Sequence, residues 1–183
     1  MPESVWSNTL EQFRDRLASL EPVPAGVTTA AISATLALAL LSKVLQVTRK
    51  RKDFAGDSDL ISSLMNDTQK TSEALSYLAD EDVAAYHEYL ECLRTKQPTG
   101  DAIRKTIEVP LDVAYIASRG IALCEKAAGH VHPVVAPDLG IAAGLLAGVV
   151  RSTLVTVNSN IQQLSEDDPY REEASAEAHR LAL

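Results

Sequence analysis

Residues 22–41 read PVPAGVTTAAISATLALALL, and this stretch is the strongest indication of the fold class. The two prolines end any helix before them, and the next charged residue is Lys43, so a long apolar helix is expected over about 28–50. The uncharged run is short for a membrane span and rich in alanine, threonine and serine. We therefore expect a helix buried by protein, with no membrane partner.

Helical periodicity also describes the rest of the chain. Apolar residues recur at three- and four-residue steps over 6–20, 60–93, 103–121 and 139–164, and a last helix is expected from about Pro169. Turn-rich segments occupy 96–101 and 129–140, a bend is expected near 80–82, and Pro110 marks a kink or a restart. Period-two alternation is never sustained. The sequence predicts an all-α, single-domain helical bundle over residues 1–183, with long and partly kinked helices.

Charge and cysteine content narrow the class of partner. The 183 residues include 17 basic and 25 acidic side chains, a formal net charge of −8, and the one basic cluster is RKRK at 49–52. We therefore expect no nucleic-acid partner, which would need a broad basic surface.

Two cysteines favour reduced thiols over a disulfide framework, and the first residues lack the apolar stretch of a secretory signal. A cytoplasmic protein is expected.

The start of the apolar helix has two compatible interpretations. In the structural one, Pro22 and Pro24 end one helix and Thr28 or Thr29 caps the next. In the functional one, free N–H groups at 25–28 and the positive end of the helix dipole face a polar ligand atom, with the Thr28 hydroxyl beside them.

Six short motifs, in order, resemble the C-terminal family of formiminotransferase-cyclodeaminase, which comprises cyclodeaminases and methenyltetrahydrofolate cyclohydrolases. As they stand here they are PVPAGVTTAA at 22–31, QVTRKRKDF at 46–54, DVAAY at 82–86, EVPL at 108–111, PDLG at 137–140 and TVNSNI at 156–161. The resemblance covers roughly residues 5–180. The chain departs from the family pattern where a glycine triplet becomes Ala25-Gly26-Val27, a serine becomes Thr28, another serine becomes Pro137 and an asparagine becomes Thr156. Glycines there would allow close backbone approach and positive φ, which Ala and Val resist.

The resemblance implies a folate one-carbon enzyme, a cyclohydrolase or a cyclodeaminase, acting at the carbon between N5 and N10. It implies a tetrahydrofolate derivative as substrate and no cofactor or metal. Asp138 would carry the proton, Lys52 or Arg51 would supply positive charge, and Thr28 and Asn160 would hold the pterin or water. By role, the implied residues are Asp138, Lys52 and Thr28 for catalysis, and Ala25, Gly26, Val27, Arg51, Asp82 and Asn160 for substrate binding.

Other interpretations stay open. Asp138 can be a helix cap, Asp82 part of a polar bend, and His130 and His132 loop histidines without a metal. The chain can be a diverged enzyme that catalyses a cyclisation or dehydration of another small molecule, which loss of the glycine triplet favours. It can also be a non-catalytic helical interaction protein, if Val27 and its neighbours fill the pocket.

Small residues on several faces of the helices around 30–39 and 142–147 would leave apolar surface exposed in a monomer. They predict a homodimer, with the ligand cleft near the subunit contact as the resemblance implies.

Overall fold

The computed structural model describes residues 3–54 and 56–182. Within these ranges the chain forms six α-helices and two short 3-10 helices, with no β-strand. The α-helices are α1 Leu10–Leu17, α2 Gly26–Lys50, α3 Ser58–Thr95, α4 Gly100–Ala128, α5 Ala136–Ile161 and α6 Tyr170–Ala182; the 3-10 helices are Val5–Ser7 and Pro133–Val135. The prediction of an all-α helical bundle is confirmed.

Helix α2 lies at the centre of the core and packs against α3, α4 and α5. Ala31, Ala34 and Ala37 are fully buried together with Leu38 and Leu41, and the small side chains let the neighbouring helices approach closely. By length and composition, both α2 and the segment Pro133–Ile161 are long and apolar enough to cross a membrane. Half of the apolar window of α2 is buried inside the protein, against a third of the window in Pro133–Ile161.

Helices α2 and α5 run in opposite directions, as contacts at their ends show. The Thr28 hydroxyl, near the start of α2, bonds to α3, and residues near the end of α5 lie beside it around one cavity. At the other end, the backbone N–H of His132, just before α5, donates to Oγ1 of Thr48 at 3.0 Å. The α2 N-terminal end and the α2 C-terminal end of the bundle are therefore separated by nearly the full helix length, about 35 Å.

The N-terminal arm, residues 3–25, packs differently from the predicted helix over 6–20. Its only α-helix, α1, has eight residues, of which none is buried. Asp80 of α3 anchors the arm, because its two carboxylate oxygens accept from Ser4 Oγ at 2.7 Å and from the Val5 N–H at 2.8 Å. Trp6 Nε1 donates to the Ser76 carbonyl at 2.9 Å. Polar contacts to α3 and the buried side chains of Val5 and Val23 hold this arm.

Two long helices are continuous through the positions where the sequence predicts a bend, at 80–82, and a kink or a restart, at Pro110; the restart is wrong. Helix α3 runs unbroken for 38 residues through the acidic triplet at 80–82, where a bend is expected. Helix α4 continues for 29 residues with Pro110 inside it. Tertiary packing on both sides of each helix outweighs the local preference to break.

Candidate functional site

A cavity of about 270 Å³ opens at the α2 N-terminal end. Four helices and the segment before α2 meet there, so groups far apart in sequence share its wall. The lining residues are Pro22, Val23, Ala25, Gly26, Val27, Asp82, Tyr86, Thr106, Thr156 and Asn160.

The start of α2 is built without a side-chain cap. Ala25 is the N-cap, with an extended backbone (φ −136°), and its methyl group accepts nothing. The expectation that Thr28 or Thr29 caps the helix is wrong, because both lie inside the first turn; the Thr29 hydroxyl donates to the Ala25 carbonyl at 2.7 Å. The first N–H groups of a helix have no partner within it, and Gly26 and Val27, which carry two of them, line the cavity.

Asp82 of α3 supplies the cap that the local sequence lacks. Its Oδ2 accepts from the backbone N–H of Thr28 at 2.9 Å and from the Thr28 hydroxyl at 2.6 Å. Both bonds end on one oxygen, while Oδ1 receives no hydrogen bond from the part of the chain that the structure describes. Asp82 therefore has one oxygen fixed to α2 and one available to a proton or a ligand.

The surroundings of Asp82 raise its pKa above the usual range of an aspartate. Burial is the largest cause, since it disfavours the charged form. The two hydrogen bonds from Thr28 act in the opposite direction and offset part of that effect. A carboxyl group with a raised pKa in a cavity is a candidate general acid or base.

Asn160 of α5 is fixed on the opposite wall by α4. Its Nδ2 donates to the carbonyl oxygen of Thr106 at 2.7 Å. Its Oδ1 has one long contact, 3.4 Å from Nε2 of the exposed Gln163. The cavity thus combines a carboxyl group, an amide oxygen and unpartnered helix N–H groups.

A profile of the formiminotransferase-cyclodeaminase family matches residues 9–180 of this chain. The chain belongs to this family. It is 25% identical over 186 residues to the methenyltetrahydrofolate cyclohydrolase of Methylorubrum extorquens, an alignment that covers 96% of this chain and 89% of that protein. The crystal structure of formiminotetrahydrofolate cyclodeaminase from Thermotoga maritima has the same fold, with a TM-score of 0.89, 24% identity and coverage of 97% of this chain and 89% of that one. The resemblance predicted from the six motifs is confirmed.

The departures from the family's glycine triplet do not strain the backbone here. Among the described residues, glycines with positive φ are absent, so the conformation at 25–27 is one that Ala and Val adopt readily. A Cβ built on Gly26 would meet no protein atom within 4 Å, and Val27 is buried in the core at 5% exposure. Val27 therefore leaves the cavity open, and the condition that would favour a non-catalytic protein is not met.

The site residues predicted from the family motifs fall at two ends of the bundle. Thr28 is fully buried behind the cavity wall, where it bonds to the lining residue Asp82. Asp138 is in the first turn of α5 and is separated from Asn160 by about 33 Å of helix. The expectation that Thr28 and Asp138 share one pocket is wrong within this chain. Asp138 follows the N-cap Val135, and a carboxylate in the first turn is stabilised by the helix dipole.

Arg51 and Lys52 are also remote from the cavity. They follow the last residue of α2, so they lie at the α2 C-terminal end, where Nε of Arg51 pairs with Asp53 at 3.1 Å. Both side chains are exposed. His132 is close by, with Nε2 3.4 Å from Asp53.

Tyr86 and Thr106 are among the cavity-wall residues that had no predicted role in the site. Tyr86, interpreted from sequence as a core or interface aromatic, lies one helical turn after Asp82 on the same face of α3, and this spacing could have identified it. Thr106 contributes through its backbone carbonyl, which no side-chain pattern reports.

Proposed function

We propose that this chain is a folate one-carbon enzyme that acts at the carbon between N5 and N10, as a methenyltetrahydrofolate cyclohydrolase or a formiminotetrahydrofolate cyclodeaminase. Membership of the family supports this activity. Relatives of both kinds cover nearly the whole chain at similar identity, so both reactions are proposed, with the cyclohydrolase reaction as the first to test. The proposal needs no cofactor, since the reaction consists of proton transfers and addition of water.

The observation that carries the proposal is the arrangement of Asp82 against Thr28. In the proposed reaction, water adds to the cationic methenyl carbon and gives up a proton to the Asp82 carboxylate. The protonated carboxyl group then returns this proton to the ring nitrogen that leaves, and the C–N bond breaks. The hydroxyl proton left on the carbon is released to solvent, which gives the neutral formyl product and accounts for the positive charge of the methenyl group. A carboxyl group with one oxygen held and the other free suits both transfers. Asp82, not Asp138, is the proposed proton carrier.

The start of α2 complements this chemistry. Addition of water creates a tetrahedral carbon bearing an oxygen, and the N–H groups of Gly26 and Val27 are proposed to donate to that oxygen. The Asp82 carboxylate is also proposed to balance the positive charge of the methenyl group. The cavity, about 270 Å³, is below the roughly 300–1,000 Å³ of pockets that enclose a whole ligand, so the ring end of the folate is proposed to enter and the remainder to extend outside.

A homodimer is proposed through α5. Ile141, Leu145 and Val155 are 54%, 45% and 70% exposed and lie within one face of the helix. A Cβ built on Gly144 or Gly148, on the same side, would meet no atom within 4 Å, so the face is flat and uncovered in the monomer. A second copy of this largely apolar face, which has the exposed Arg151 at its edge, is the proposed occupant, because a two-fold axis brings identical patches together.

The α5 face also connects the dimer to the site. Val155 precedes Thr156, which lines the cavity, so the subunit contact is proposed to run along the cavity's edge. Asp138, Arg51 and Lys52 lie at the opposite end of the bundle and are proposed to take no part in the reaction. Both described cysteines, Cys92 and Cys124, are free thiols, which supports the proposed cytoplasmic location.

Asp82→Asn tests the proposal, with Asp138→Asn as the matched control at the other end of the bundle. Asn keeps an oxygen that can accept both Thr28 hydrogen bonds, so the fold should be preserved. We expect turnover of methenyltetrahydrofolate to fall by roughly 10²-fold or more in D82N, the scale for a lost acid–base group, and to stay near wild type in D138N.

A thermal-shift series with folates of different one-carbon state identifies the substrate, because a ligand that binds the folded state raises the melting temperature. Activity lost in D138N but kept in D82N would overturn the role of Asp82. Absence of both turnover and thermal shift with every folate would overturn the folate assignment in favour of another small molecule.

A further inference from the structure

Pro110 lies buried in the middle of α4 and changes the hydrogen bonding of the preceding turn. In an α-helix, the carbonyl of residue i accepts the N–H of residue i+4. Proline has no N–H, so the carbonyl of Thr106 has no regular partner in the helix. The side-chain amide of Asn160, from α5, donates to this carbonyl at 2.7 Å. The acceptor that Pro110 leaves free is therefore used by a residue of the cavity wall.

This bond determines which way the Asn160 amide faces. A carbonyl oxygen can only accept, so the amide group that faces it must be Nδ2 and the oxygen must point away from it. Thr106 and Asn160 both line the cavity. The one described contact of Oδ1 is the 3.4 Å approach of Gln163, a long hydrogen bond between exposed groups. Oδ1 is thus an oriented acceptor with capacity for a ligand.

We propose that Pro110 is a positioning residue for the ligand. By withholding an N–H from the Thr106 carbonyl, it reserves that carbonyl for Nδ2 of Asn160 and so presents Oδ1 to the cavity as a hydrogen-bond acceptor. The group that fits this acceptor is an N–H donor, the amino and ring N–H edge of a pyrimidine-type ring. The identity of that ring rests on the proposed function, whereas the orientation of Asn160 does not.

The first test needs no substrate. In ¹⁵N-labelled protein, the Asn160 side-chain amide is assigned by its loss in N160A. We expect one of its protons to be shifted downfield and slow to exchange with solvent in the wild type. In P110A, the restored N–H at position 110 competes for the Thr106 carbonyl, and the shift and the protection should both be lost.

Two further variants make this test decisive. P110V restores the N–H and fills more of the buried volume than P110A, so it serves if P110A is poorly folded. P137A is the matched control. Pro137 lies in the first turn of α5, where the backbone N–H has no hydrogen-bond partner within the helix, so its absence changes no helix hydrogen bond. An Asn160 amide with wild-type shift and protection in folded P110A or P110V would overturn the positioning role.

The second test separates binding from chemistry. We expect P110A to raise KM for methenyltetrahydrofolate about tenfold, the effect of one hydrogen bond to the ligand, with kcat within about twofold of wild type. N160A should raise KM similarly, and P110A should add little in the N160A background, because both act through one contact. If the Asn160 amide loses its hydrogen bond in P110A while KM stays unchanged, the proposed contact between Asn160 and the ligand is overturned. If wild type does not turn over folate, the proposed function fails, and the amide spectra alone still decide whether Pro110 positions Asn160.

Discussion

Thr28→Val isolates one hydrogen bond of the Asp82 pair. Thr28 is fully buried at 0% exposure, and valine has nearly the same shape, so the substitution leaves no cavity. It removes the 2.6 Å bond from the hydroxyl to Oδ2 and keeps the 2.9 Å bond from the backbone N–H. Where Asp82 is ionised, the loss should cost about 1.5–3 kcal/mol of unfolding free energy, as for hydrogen bonds to charged groups.

The cost of Thr28→Val should depend on pH with a definite sign. Because burial raises the pKa of Asp82 in the folded state, its contribution to stability is full at acidic pH and is lost as pH rises through the folded pKa. Removing the Thr28 hydroxyl raises that pKa further, so the difference between wild type and T28V should widen with rising pH. Where Asp82 is protonated, the lost bond is between neutral groups and should cost about 0.5–1.5 kcal/mol.

Urea unfolding at acidic and at mildly alkaline pH measures the cost of Thr28→Val with Asp82 protonated and with Asp82 ionised. The midpoint and slope of each transition give the unfolding free energy. Thr29→Val is the matched control, since the neighbouring hydroxyl donates to the neutral Ala25 carbonyl at 2.7 Å and its loss should not vary with pH. An equal, pH-independent cost for T28V and T29V would refute the charge-assisted pair. In the active enzyme, T28V should also move the limb of the pH–rate profile that reports Asp82 to higher pH.

Two other substitutions address the cavity and the α5 face. Gly26→Ala should raise the unfolding free energy by about 0.4–1 kcal/mol, because a Cβ there meets no protein atom. It should also raise KM, because the methyl group enters the cavity. A lower melting temperature in G26A would contradict the expected stabilisation. Leu145→Asp should convert a dimer into a monomer by light scattering, whereas Leu93→Asp, at a similarly exposed position of α3, should not; a monomeric wild type, or a dimer that survives L145D, would contradict the α5 interface.

The helices could be predicted from the sequence more accurately than the site. Period and composition identify α2 to α5, because a buried helix needs apolar side chains at fixed steps. The bounds of α1 were wrong, since Leu10 and Leu20 follow a helical period but stay 78% and 104% exposed. Periodicity reports the capacity to be buried, and only tertiary structure decides whether a partner is present.

The candidate site depends on which helix ends meet, and one sequence does not contain that information locally. Asp82 was predicted to bind substrate, but its bond to Thr28 joins residues 54 apart in sequence. Asp138 carries an equally plausible carboxylate, and the antiparallel course of α2 and α5 separates it from Thr28. Side-chain patterns could not identify the Thr106 carbonyl, because it belongs to the backbone. Pro110 was nevertheless a signal, since a proline inside a helix leaves the carbonyl one turn earlier without its regular hydrogen-bond donor.

The N-terminal arm has a consequence for the molecule's local stability. Because α1 buries no side chain, its amides can exchange with solvent through local opening, while those of α2 require disruption of the core. The arm is held at Asp80, two residues before Asp82, and at Val23, which lines the cavity. Opening of the arm therefore loosens both attachments at the rim of the cavity, and a ligand seated there should slow amide exchange in α1 without contacting it.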